Sequence, residues 1–158
     1  MAEHVGKTVR RKRKTVLASG TFDLLHLGHV KYLEEAKKAG GKNAKLIVIV
    51  ARDSTAEKRK GGKHVMPEEH RRALVESLKV VDKAVLGYED FDMGKVLEEI
   101  KPDIIAVGHD QNDIEARVRQ AVSNKNLGIQ VVKIKRFGKP EFNSSLKIKR
   151  KITQLYKR

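Results

Sequence analysis

The sequence predicts an α/β chain: one Rossmann-like, doubly wound domain on a five-stranded parallel sheet with strand order 3-2-1-4-5. Three observations predict it. Short β-branched and apolar runs alternate with helical periodicities over residues 15–155, and such alternation builds a parallel sheet with right-handed crossovers. The run Lys45–Ala51 (KLIVIVA) is almost wholly apolar, as a central strand covered on both faces must be. A turn rich in Gly and His follows the first strand, beyond the carboxyl ends of the strands, where doubly wound sheets receive ligands. The length of 158 residues suits one buried core.

Taken in order, the first strand spans about Thr15–Ala18, and a helix carrying Val30, Leu33 and Ala36 runs to about Ala39, stopped by Gly40-Gly41. The second strand is Lys45–Ala51. Arg52 to Lys63 is polar and reads as a mobile basic loop with Gly61-Gly62 as its flexible point. Pro67-Glu68-Glu69 opens a helix with a proline and acids where they are favoured, and Leu74, Val75, Leu78 and Val81 continue it on one face. Arg71 and Arg72 read as surface or dimer residues of that helix. Lys83–Leu86 is a third strand; Val96, Leu97 and Ile100 mark a helix ended by Lys101-Pro102. Asp103–Val107 is the fourth strand, leading into Gly108-His109-Asp110. Ile114, Val118, Ala121 and Val122 mark the next helix, Ile129–Ile134 the fifth strand, and Ser144-Ser145 opens a final helix with Ile148, Ile152 and Leu155.

The net charge of +15 is confined to the ends: residues 1–14 carry +5, residues 133–158 carry +9, and 15–132 only +1. Residues 1–14 therefore read as a basic N-terminal arm, and 15–158 as the folded domain including a basic C-terminal helix. Basic ends can touch RNA or another polyanion non-specifically, but the few aromatic residues do not alternate with the cations as a stacking surface requires. No apolar run is long enough to cross a membrane and no apolar segment follows the basic start, so neither membrane insertion nor a secretory signal is expected. The absence of Cys removes disulfides and thiolate metal sites and favours a cytoplasmic setting.

The chemistry concentrates in Ala18 to His29, ASGTFDLLHLGH. His26 and His29, three apart at a helix start, point the same way. Gly20 permits an unusual backbone angle and Gly28 a close approach. The free N–H groups and positive dipole end of the helix favour an anion, most simply a phosphate, and two imidazoles there can donate to charge that builds during nucleotidyl transfer. Other readings fail: a zinc pair lacks a third ligand at recognisable spacing, no GxGxxG follows the first strand, Gly6-Lys7-Thr8 lacks the rest of a P-loop, and His109-Asp110 lacks the histidines of a metal phosphohydrolase.

This stretch resembles the (T/S)GxFDxxHxGH signature of the cytidylyltransferase-like nucleotidyltransferases, the HxGH type. VARDSTAEKRKGGK (50–63), PEEHRRALVESLKVVDKAVLG (67–87), IKPDIIAVGHDQ (100–111) and EFNSSLKIK (141–149) are further similar to archaeal-type FAD synthases, which are FMN adenylyltransferases, and less so to glycerol-3-phosphate cytidylyltransferases. The resemblance implies that Thr21 and Phe22 contact the nucleotide, with Leu27 and Gly28 beside them. It implies that His26 and His29 hold the triphosphate and stabilise the transition state at the α-phosphate. Asp110 would meet the nucleoside sugar or base. Ser144, Ser145 and Lys149 match part of an ISSTxI(R/K) loop near the phosphates, in which Leu146 replaces Thr and Asn143 replaces Ile. Lys60 matches a basic loop residue that reaches phosphate. Some relatives carry C-terminal cysteines, which this chain lacks.

The same residues have plainer uses. Asp110 and Asp113 suit helix caps, Ser144 an N-cap, Lys60 a solvated loop, and Phe137, which beside Arg136 could stack on a base, suits better a cover for the sheet edge. The expected substrates are ATP and FMN, with CTP and glycerol 3-phosphate or another phospho-alcohol as the alternative pair. A divalent ion, Mg²⁺, would arrive with ATP; no protein metal site and no permanently bound cofactor are expected. A homodimer is expected by analogy. The reading from another class is a basic RNA- or polyanion-binding protein on a retired nucleotidyltransferase fold, against which the retention of both histidines counts.

Overall fold

The computed structural model describes residues 12–60, 62–138 and 143–157. Five strands, β1 (Thr15–Gly20), β2 (Lys45–Val50), β3 (Lys83–Leu86), β4 (Ile104–Gly108) and β5 (Gln130–Ile134), form one parallel sheet in the order β3-β2-β1-β4-β5. The helices are α1 (Leu27–Ala39), α2 (Asp53–Lys60), α3 (Glu68–Glu76), α4 (Met93–Ile100), α5 (Asn112–Asn124) and α6 (Ser145–Leu155). Among the described residues no helix is long and apolar enough to cross a membrane.

The strands are apolar on both faces because helices cover both. Val16, Ala18, Leu46, Val48, Val50, Ile104 and Ala106 pack with Leu33 and Ala36 of α1 and Val75 of α3. Their strand neighbours Leu17, Ile47, Ile49, Ile105 and Val107 turn the other way, onto Met93, Val96 and Leu97 of α4 and Ile114 and Val118 of α5. A fully buried Leu or Val here contributes about 1.5–3 kcal/mol. At the amino ends of the strands two carboxylates take the leading donors: Asp82 accepts the Leu46 N–H at 2.7 Å and Asp103 accepts the Thr15 N–H at 2.8 Å. Arg13, expected in a frayed arm, is anchored there on Asp82 at 3.0 Å and on the Asn43 carbonyl at 2.7 Å; residues 1–11 of the arm lie outside the described residues.

Three local expectations change. Residues 53–60 form α2 rather than a mobile loop. Its starting N–H, that of Asp53, is taken by Glu68 at 2.7 Å, Thr55 donates to the Glu89 carbonyl at 3.0 Å, and Ala56 is buried. One buried alanine leaves too little apolar periodicity to read. The third helix is shorter than its apolar spacing: α3 stops at Glu76, and Leu78 and Val81 reach the core from the turns that follow, whereas Leu74 is exposed. β1 runs two residues further than expected, pairing Ser19 and Gly20 with Ile49 and Val50, so the strand leads directly into the histidine turn.

Candidate active site

Between β1 and α1 the chain folds tightly, with two non-glycine residues, Phe22 (φ 56°) and Leu24 (φ 50°), in the left-handed region. Such conformations cost on the order of 1–3 kcal/mol each and persist only when their surroundings hold them. Asp23 does the holding. Its buried carboxylate accepts the Val65 N–H at 2.9 Å and the Met66 N–H at 3.0 Å and pairs with Lys149 Nζ at 2.7 Å, while its carbonyl accepts from Ser145 Oγ. Burial opposes the charge on Asp23, but Lys149 and the two amides outweigh it and hold the carboxyl below its ordinary value. The Phe22 ring fills the core beneath, close enough that a Cβ on Gly20 would lie 2.9 Å from it.

His26 is the N-cap of α1 and His29 its third residue. The rings stack with centroids 3.7 Å apart and planes 22° apart, and Phe22 supports His29 at 5.4 Å. The His26 N–H donates to His29 Nδ1 at 3.2 Å, so the neutral His29 ring carries its proton on Nε2. Burial lowers the pKa of His26 below the ordinary histidine value, which keeps it uncharged at neutral pH. Gly28 is required by geometry: a Cβ there would stand 2.9 Å from His26 Nδ1.

These rings line a cleft of about 770 Å³ that opens at the carboxyl ends of β1 and β4, where the winding reverses. Two side chains tie those strand ends together. Gln111 donates to the Ser19 carbonyl at 3.0 Å and accepts the Gly108 N–H at 2.8 Å; Tyr32 donates to the Ala106 carbonyl at 2.9 Å. Thr21, Phe22, His26, Gly28, His29, Asp110, Ser144, Ser145 and Lys149 all line this cleft, so the structure brings nearly every sequence-identified residue to one place. Ser144 also caps α6, accepting the Lys147 N–H at 3.4 Å. Leu27 is the exception: it begins α1 exposed and outside the cleft lining. Lys60 ends α2, and its side chain, like Gly61, lies outside the described residues. Lys135, Arg136 and Lys147 also line the cleft, so part of the C-terminal charge excess faces inward. Phe137, expected to cover the sheet edge, sits in the cleft wall with Lys31 Nζ 5.7 Å from its ring centre. Among the described residues no group of three or more His, Cys, Asp or Glu could hold a metal ion.

Two expectations are corrected. Arg71 is fully buried, not a surface residue. It donates to the carbonyls of Thr21 (2.6 Å), Ala51 (2.9 Å) and Met66 (2.9 Å) and to Asp53 Oδ1 (2.6 Å), stitching the histidine turn to β2, α2 and the segment before α3. The signal was its place four residues before the buried Val75, on the apolar stripe of α3. The N-cap of α5 is Gln111 rather than Asp113, whose carboxylate meets backbone N–H groups of the first turn and pairs with Arg59 of α2 at 3.2 Å, bridging helices from the two halves of the sheet. His64 was missed as well. It lines the cleft and places Nε2 2.7 Å from Asp53 Oδ1.

The stacked histidine pair thus stands at a helix N-terminus, at the switch point of a 3-2-1-4-5 parallel sheet. The chain belongs to the cytidylyltransferase-like family, whose model matches residues 17–151. It is 47% identical over 142 residues to the FAD synthase of Methanobrevibacter smithii, covering 90% of this chain and 92% of the relative. It is 48% identical over 139 residues to that of Methanothermus fervidus, covering 88% and 94%. Among solved structures, the lipopolysaccharide core biosynthesis protein of Thermoplasma volcanium superposes with a TM-score of 0.71 at 43% identity, over 79% of this chain and 98% of that one.

Proposed function

We propose that this protein is an FMN adenylyltransferase, an FAD synthase. The likeness to archaeal FAD synthases over about nine-tenths of both chains carries the choice of substrates; the His26–His29 pair carries the reaction type. The terminal phosphate oxygen of FMN attacks the α-phosphorus of ATP, the bond from that phosphorus to the bridging oxygen breaks, and pyrophosphate leaves. A phosphate monoester is already ionised near neutral pH, so the nucleophile needs no base, and catalysis rests on alignment and charge stabilisation.

His29 Nε2–H, fixed by the backbone bond to Nδ1, donates to an α- or β-phosphate oxygen as charge builds there. His26 and the free N–H groups of α1 supply further donors, and the helix end adds its positive dipole. Thr21, Phe22 and Gly28 shape the nucleotide side, Asp110 meets its sugar or base, and Ser144, Ser145 and Lys149 serve the phosphate side. Magnesium enters with the nucleotide as MgATP.

The purified protein incubated with ATP plus FMN, and separately with CTP plus glycerol 3-phosphate, tests the reading through pyrophosphate release and product mass. FAD from the first mixture is the expected result. CDP-glycerol from the second with no FAD from the first would replace it with the cytidylyltransferase reading.

A further inference from the structure

Among the described residues, three side chains bury a polar atom that finds no hydrogen-bond partner: Thr21 Oγ1, His26 Nδ1 and His64 Nδ1. An orphaned buried polar atom costs about 1–3 kcal/mol and calls for a reason. All three residues line the same cleft. Thr21 and His26 belong to the histidine turn, whose chemistry supplies the reason. His64 does not.

The surroundings of His64 fix its chemical state. Its side chain is 11% exposed and Nε2 lies 2.7 Å from Asp53 Oδ1. Burial opposes the Asp53 charge, yet the Arg71 guanidinium and the backbone hydrogen bond with Glu68 hold that carboxyl below its ordinary value. Asp53 is thus an ionised acceptor and Nε2 must carry the proton. In the neutral ring the one proton therefore sits on Nε2, facing the carboxylate, whose same oxygen also takes the buried Arg71 at 2.6 Å. Nδ1 therefore presents a lone pair. In a cleft lined by cations and helix N–H groups, this is an acceptor set to receive an O–H or N–H; a phosphate oxygen would be repelled by it.

Its position indicates which substrate. His64 lies between α2 and α3, on the β2 side of β1, whereas Gly108 to Gln111 and Lys135-Arg136 line the cleft on the β4 and β5 side. With the nucleotide at the β1–β4 switch point, the wall that holds His64 faces the acceptor. We propose that His64 Nδ1 accepts a hydrogen bond from a hydroxyl on the polyol chain of the acceptor phosphate ester, placing that chain so its phosphate is in line with the α-phosphorus. Asp53 and Arg71 are the positioning residues that hold the ring for this. The inference rests on the FMN adenylyltransferase reading, in which the chain is ribityl.

The test compares two acceptors, FMN and a flavin phosphate whose ribityl chain is replaced by an unsubstituted phosphopentyl chain. His64→Gln keeps an amide N–H where Nε2 donates to Asp53 but removes the acceptor at the δ position. Wild-type protein should prefer FMN over the hydroxyl-free analogue about tenfold in kcat/KM, the worth of one neutral hydrogen bond. His64→Gln should reduce that preference to within about twofold, by losing rate on FMN alone, with KM for ATP unchanged. His64→Asn, which returns an oxygen near the Nδ1 position, should recover part of the preference. Equal losses on both acceptors, or a preference in His64→Gln as large as wild type, would overturn the assignment and leave the FAD synthase reading standing. Wild-type protein that forms no FAD from ATP and FMN would overturn that reading and this inference with it.

Discussion

Removing the Arg71 side chain is the most demanding perturbation this fold offers. The guanidinium is fully buried and makes four hydrogen bonds of 2.6–2.9 Å, three to carbonyls and one to Asp53. In Arg71→Ala those carbonyls lose a charged donor worth about 1.5–3 kcal/mol apiece, and a large void opens under the histidine turn. Two effects reduce the sum. Asp53 is 36% exposed, so water can recover its carboxylate, and carbonyls near the cleft can be rehydrated. The net destabilisation should be about 3–5 kcal/mol, the range for breaking a buried charged network.

For a chain of this size each kcal/mol corresponds to about 2–4 °C in Tm, so the midpoint should fall by about 6–20 °C. Urea unfolding with an unchanged slope would measure the same loss independently. Arg71→Lys separates charge from geometry, because a single ammonium cannot span the Thr21, Ala51 and Met66 carbonyls together with Asp53. It should lie between wild type and Ala in stability, with adenylyl transfer reduced at temperatures where it remains folded. An Arg71→Ala protein within 1 kcal/mol of wild type would refute the view that this cation holds the site together.

His29→Ala should lower turnover by about 10²–10³, the scale for losing one preorganised donor to a developing oxyanion, while urea stability falls by about 1–3 kcal/mol as the bond from the His26 N–H and the ring contacts with His26 and Phe22 are lost. Stopped turnover accompanied by global unfolding would contradict this. Gly28→Ala should cut turnover tenfold or more, because the new Cβ would stand 2.9 Å from His26 Nδ1 and displace the ring, although alanine is the better helix former; unchanged turnover would show that the ring position is not required. Asp23→Asn should destabilise the protein at pH 7 but converge with wild type in acid. The folded carboxyl titrates below its unfolded value near 3.8, so its contribution is whole above about pH 5 and is lost as pH falls through the folded value. A gap between the two proteins that does not narrow as pH falls below 3.8 would exclude a role for that charge.

Much of the fold was legible because its signals are covalent and local. The parallel, doubly wound sheet followed from alternation and from continuous apolar strands, and β3 falls on the residues read for it. The site was legible where a motif compresses it into one segment: Thr21, Phe22, His26, Gly28 and His29 reach one cleft because they share a turn. What escaped depends on pairs far apart in the chain. Arg71 shares the buried stripe of α3 with Val75, but its role is set by distant acceptors at Thr21 and Ala51, and that of His64 by Asp53. The helix α2 was invisible because its stability comes from Glu68 and from the Tyr88–Glu89 carbonyls, not from an apolar stripe of its own.

The pairing of Lys149 with Asp23 changes how charge reaches the phosphates. The family resemblance assigns Lys149 to a phosphate-side loop, yet its ammonium is 2.7 Å from a buried carboxylate. An ammonium has three N–H donors and can offer those not directed at Asp23 to a phosphate oxygen, but the adjacent negative charge cancels most of its field at a distance. Lys149 is therefore the tether that brings α6, with Ser144 and Ser145, onto the histidine turn, and in the proposed reaction it serves as a short-range donor. The same logic applies to Arg71 and Asp53 beneath the turn. Arg71 and Lys149 are thus engaged in holding the motif, and in the proposed reaction the charge offered to the phosphates comes from the imidazole donors, the open N–H groups of α1 and the cleft cations Lys135, Arg136 and Lys147. The imidazole donors and the N–H groups are fixed by the backbone, cost nothing to orient when the phosphorus is attacked, and so favour the transition state over the bound ground state.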